Sequence, residues 1–152
     1  MSATQEQPVP AAAPTVPGRL HRLADLTVRV LGGAVAVVAA VLTAVLELQF
    51  ATVRLGGHLV GLSVLLAVVG NVLVSWFAIR AVGARWAVAV PAAAWFAVMV
   101  LAAGGTTEGD ILLAGDNWVG FATIFAGAIA YAVIAFRAIL SPRPAPGPGA
   151  RS

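Results

Sequence analysis

The sequence predicts an all-α polytopic membrane protein, an antiparallel up-down four-helix transmembrane bundle with disordered termini. Three observations carry that expectation. Four runs of roughly 20 residues lack strong charge, the length an α-helix needs to cross a bilayer. Apolar residues make up 61% of the chain and charged residues 10%, a composition that leaves a soluble globule without a surface to present to water. All nine basic residues are arginines, scattered at the edges of the apolar runs instead of forming the basic stripe with aromatics that nucleic acid requires.

Residues 1–17 are rich in Pro, Ala, Ser, Thr and Gln. They bury too little apolar surface to offset chain entropy and read as a disordered tail. From Gly18 to Thr27 charge alternates with leucine at helical spacing, an interfacial lead-in to the first span. That span, about Leu26 to Leu48, is longer than a signal-peptide core and reads as an anchor. Arg29 lies one turn inside it, where a long side chain snorkels back to the head groups. Ala36, Ala40 and Ala44 fall on one stripe along which a partner helix can approach closely.

A short connection follows, carrying Arg54 and His58, with Gly56-Gly57 as its turn. The second span, about Leu59 to Ile79, holds Asn71 at mid-length. An amide at that depth costs free energy without a partner, so Asn71 is expected to face the bundle and bond to a neighbouring helix or subunit. Arg80 to Arg85 forms a basic turn flanked by Trp76 and Trp86 at head-group depth. The third span, about Trp86 to Ala103, has Pro91 near its start, where the missing N–H does least damage. The fourth, about Trp118 to Leu140, carries the small-residue stripe Ala122, Ala126 and Ala130. Residues 18–140 thus form the transmembrane domain, and the proline-rich segment 141–152 reads as a second disordered tail.

Charge sets the topology. With the amino-terminal end in the cytoplasm, eight arginines lie on that side and Arg54 alone lies opposite, so the positive-inside rule puts both termini on the cytoplasmic side of the plasma membrane, the inner membrane of the cell. Short links then favour packing between sequence neighbours.

Glu47 and Arg54 fall at the same external boundary, either as an ion pair pinning the first loop or as two solvated charges worth about 0–1 kcal/mol. Glu108, Asp110 and Asp116 form an acidic external loop whose spacing matches no EF-hand. It reads as solvated, with Asp116 as the N-cap of the fourth span. Ile111, Leu112 and Leu113, apolar residues at a water boundary, are the preferred partner contact. His21 and His58 lie on opposite faces and cannot share a haem or metal. Cysteine is absent, which excludes disulfides, thiol nucleophiles and thiolate metal sites. With no Ser-His-Asp set, phosphate-binding glycine loop or catalytic carboxylate pair in the membrane-exposed segments, no enzyme and no cofactor are predicted.

The segments Glu-Gly-Asp-Ile-Leu-Leu-Ala-Gly at 108–115 and Gly-Phe-Ala-Thr-Ile-Phe-Ala-Gly at 120–127 resemble an uncharacterised actinobacterial family of small four-span integral membrane proteins. The resemblance covers about Leu26 to Leu140; it implies four spans with proline-rich tails and carries over no catalytic residue. The expected function is that of a non-catalytic accessory or scaffold protein, in contact with lipid and with another membrane protein or a second copy of itself. The alternative is a small oligomeric transporter or channel for an ion or small solute, motivated by Asn71, Glu47 and the external acids.

Overall fold

In the computed structural model, which describes residues 18–104 and 117–141, helix formation follows the apolar runs closely. Helix α1 spans Arg19–Ala51, α2 Leu62–Val82, α3 Ala89–Ala103 and α4 Trp118–Leu140. A 3-10 turn, Arg85–Val88, leads directly into α3. Together these make four helices long and apolar enough to cross a membrane. The acidic loop and both tails lie outside the described residues, as do Glu108, Asp110, Ile111, Leu112, Leu113 and Asp116.

The lead-in from Gly18 to Thr27 is continuous with the first span, giving α1 a length of 33 residues. At about 1.5 Å per residue, that exceeds the roughly 30 Å hydrocarbon layer, so α1 projects beyond it. Between α1 and α2 the strands β1 (Arg54–Leu55) and β2 (His58–Leu59) pair antiparallel. Gly56 and Gly57 turn the chain with φ of 58° and 84°. Two consecutive positive φ values make the tight hairpin that glycine adopts without steric cost.

Helix α1 packs along α2 in the opposite direction: a Cβ on Gly32 would meet Ala81, and one on Gly70 would meet Thr43. Helix α3 lies beside α1 in the same direction, with Arg29 and Trp86 lining one cleft and Glu47 meeting Trp95 further along. Helix α2 packs against α4, again in the same direction, through Ser63 with Thr123 and Asn71 with Gly127. The main seams are therefore α1–α2, α1–α3 and α2–α4, while α3 meets α2 and α4 only sparsely. Packing between sequence neighbours holds for α1 and α2 and gives way at α3, which sits against α1.

The small-residue stripe explains the choice. Ala36, Ala40 and Ala44 are completely buried, so two helices can close on α1 without side chains holding them apart. Ala36 meets Ala78 and Ala87, while Ala40 and Ala44 join Val74, Trp95, Met99 and Tyr131. On α4 the buried line runs through Gly120, Thr123, Gly127, Ala130 and Tyr131. Ala122 and Ala126 flank it half-buried, so the anticipated stripe is offset by about one residue. Outside the core, large apolar side chains such as Leu101, Phe125 and Ile139 are exposed, as a helix surface bathed in lipid requires.

Candidate functional site: an intramembrane polar centre

Each of the four helices contributes to one buried polar centre. Glu47 of α1 is fully buried, and its Oε2 accepts a 3.0 Å hydrogen bond from Trp95 Nε1 of α3. The Trp95 ring lies tilted against Tyr131 of α4, with centroids 5.8 Å apart. Trp95 is itself fully buried, near the middle of the Arg85–Ala103 segment, so the Glu47 carboxyl reaches inward from near the end of α1. Asn71, fully buried on α2, meets the same place: a Cβ on Gly127 would lie 2.6 Å from Trp95 Cη2 and 2.7 Å from Asn71 Nδ2. Gly127 is glycine because the indole and the amide occupy the space a side chain would need.

The centre is incompletely satisfied. Glu47 Oε1, both side-chain polar atoms of Asn71 and the Tyr131 hydroxyl have no hydrogen-bond partner among the described residues. A buried polar atom left unpaired costs about 1–3 kcal/mol, and more when charged. Close by, Ser75 returns its hydroxyl to the Asn71 carbonyl at 2.6 Å, and Ser63 and Thr123 hydroxyls bond across α2 and α4 at 2.7 Å. These are satisfied contacts that fasten the bundle.

Two sequence expectations change here. Asn71 faces the interior as anticipated, and among the described residues its side chain has no hydrogen-bond partner on a neighbouring helix, which leaves the expected bond to a neighbouring subunit untouched. Glu47 is not a boundary charge paired with Arg54: its carboxyl turns into the bundle to Trp95, while Arg54 is exposed in β1. A carboxyl near a helix end looks interfacial in one dimension, and only the packing of α3 against α1 places an indole where the carboxyl can turn inward. The sequence signal was Trp95, the one tryptophan placed far from any expected boundary.

Both ends of the bundle are tied. At the hairpin end the N-cap of α4 is Asn117 and not Asp116: its Oδ1 accepts from Gly120 N at 3.1 Å. Its Nδ2 also donates to the Ala51 carbonyl at the end of α1, at 3.1 Å. At the arginine-bearing end Arg29 binds Asp25 at 2.9 Å and donates to the Val82 carbonyl at 3.3 Å. It therefore caps the last turn of α2, where a cation opposes the helix dipole. Gly83 ends that helix in the left-handed region, with φ of 71°.

Two apolar spaces open toward the lipid side. One, of about 520 Å³, lies between α1, the end of α2 and the start of α3, with Arg29 at its rim and Val30, Gly33, Trp86 and Pro91 in its walls. The other, of about 960 Å³, separates α3 from α4 along Ala89, Ala92, Phe96, Ala128, Ala132 and Ala135. Neither is lined by Glu47 or Asn71, while Tyr131 of the polar centre lines the larger one. Among the described residues no three His, Asp or Glu gather as metal ligands. Comparison with protein-family models, with curated proteins and with solved structures finds no match.

Proposed function

We propose that this chain is a non-catalytic accessory or scaffold protein of the plasma membrane, an up-down four-helix bundle with both termini in the cytoplasm. The observation that carries the reading is the unfilled seam between α3 and α4. Three sides of the bundle close, and the fourth leaves an apolar crevice with Ala89, Ala92, Ala128, Ala132 and Ala135 in its walls beside Trp86, Phe96 and Tyr131. Alanine-lined grooves let a further transmembrane helix approach closely, and close approach is what drives helix association in lipid. The occupant is a helix of another membrane protein or of a second copy. The external loop, with Glu108, Asp110 and Asp116 around Ile111, Leu112 and Leu113, meets the same partner outside the bilayer. Membrane lipid fills the smaller cleft beside Arg29.

Ala132→Trp fills the crevice from its rim. It is expected to weaken association about tenfold, roughly 1.4 kcal/mol, measured by quantitative co-purification in mild detergent or by energy transfer between labelled copies in vesicles. Recovery of isolated monomer alone, at native expression, would sink the scaffold reading. A second reading, a small oligomeric transporter or channel, is favoured by the buried Glu47 carboxyl, since ionisable groups inside a bundle mark ion and proton paths. Reconstituted vesicles that move no proton, cation or small solute above protein-free controls would remove it.

A further inference from the structure

Among the described residues Glu47 is the single acidic group inside the bundle, and its surroundings define what it can bind. From α1 itself, the following charged residue, Arg54, lies beyond the helix in the exposed hairpin. Helix α2 presents the neutral amide of Asn71, α3 presents the Trp95 indole, and α4 presents the titratable phenol of Tyr131. Among the described residues no arginine or histidine pairs with Glu47, and Arg85 lines the space that Tyr131 also lines. A bare carboxylate held there by one neutral donor would carry a desolvation cost of several kcal/mol. The indole N–H can only donate, so it marks Oε2 as the acceptor and leaves Oε1 without a partner. Neither of the two apolar spaces is lined by Glu47, and among the described residues no three acids or histidines gather to hold a metal cation. A proton needs a single lone pair.

We propose that Glu47 is a proton-binding site, taking up one proton from water at the hairpin end to form an O–H bond at Oε1 and returning it to water when the carboxyl becomes hydrated. Glu47 stands about one turn from the end of α1 at Ala51, where Asn117 holds α4, so the hairpin end is the nearer source of water along α1. The unpartnered oxygens of Asn71 and Tyr131 are acceptors of the same buried centre. The site deepens the transport reading, but its test reads proton occupancy without transport, so each can fail alone.

The test uses the full chain in lipid nanodiscs with Trp76, Trp86 and Trp118 replaced by Phe, which leaves Trp95 as the reporting indole. Protonation weakens Oε2 as an acceptor, so Trp95 emission is expected to follow a one-proton titration that Glu47→Gln abolishes. In the unsubstituted chain a hydrophobic carbodiimide, which attacks protonated carboxyls, is expected to modify Glu47 more slowly as pH rises, read by peptide mass. Emission that does not change with pH, a titration that persists in Glu47→Gln, or no carbodiimide adduct on Glu47 would each overturn the proposal. A response to sodium at fixed pH would replace the proton with a cation.

Discussion

Asn71 and Gly127 face each other across the α2–α4 seam, and substitutions at the two should move stability in opposite directions. Leucine has nearly the shape of asparagine without its polar atoms, so Asn71→Leu removes a buried amide that no described residue satisfies. Unfolding of monomer in mild detergent is therefore expected to be unchanged or shifted to higher denaturant, since the amide's unpaired cost of about 1–3 kcal/mol disappears. Loss of stability in the monomer would show that the amide has a partner after all. Gly127→Ala, by contrast, drives a methyl into the Trp95 ring and the Asn71 amide. Overpacking of that kind costs about 1–3 kcal/mol, and an unchanged midpoint would mean that α4 shifts freely against α3.

At the scale of elements, Asn117 fastens the start of α4. The side chain satisfies the Gly120 N–H at the start of α4 and ties it to the last turn of α1. Asn117→Ala removes both, so a loss of about 1–2 kcal/mol is expected. Faster amide exchange should appear at Val119 and Gly120 and at the end of α1, while α2 near Gly83 keeps its protection. Faster exchange confined to α4 would show that the bond to Ala51 contributes nothing. Asn117 was passed over in the sequence because Asp116 beside it has the same capping preference; one residue of helix phase decides between them. The α4 stripe was misplaced for a related reason, since alanines at four-residue spacing and the buried Gly120, Thr123 and Gly127 are neighbouring lines on one cylinder.

For the whole molecule, the proposed orientation follows from arginines gathered at one end of the bundle. Thr52 and Ser141 are both exposed and fall at opposite ends, and the chain contains no cysteine, so single substitutions report without background. A membrane-impermeant thiol reagent applied to intact cells is expected to label Thr52→Cys and spare Ser141→Cys until the membrane is opened. The reverse pattern would invert every assignment of faces.

Length and apolarity of the four runs determined the helices, because a chain that must satisfy its backbone in lipid has little choice but α-helix. The Gly56-Gly57 turn, the alanine face of α1 and the inward Asn71 were equally legible, each fixed by local backbone or side-chain chemistry. Which helices adjoin which was not. Any short-linked order satisfies the backbone, and the selection of α1 over α2 as the neighbour of α3 rests on side chains far apart in sequence fitting together. That choice put Trp95 against Glu47, turned a boundary charge into a buried carboxyl, and left the seam between α3 and α4 open.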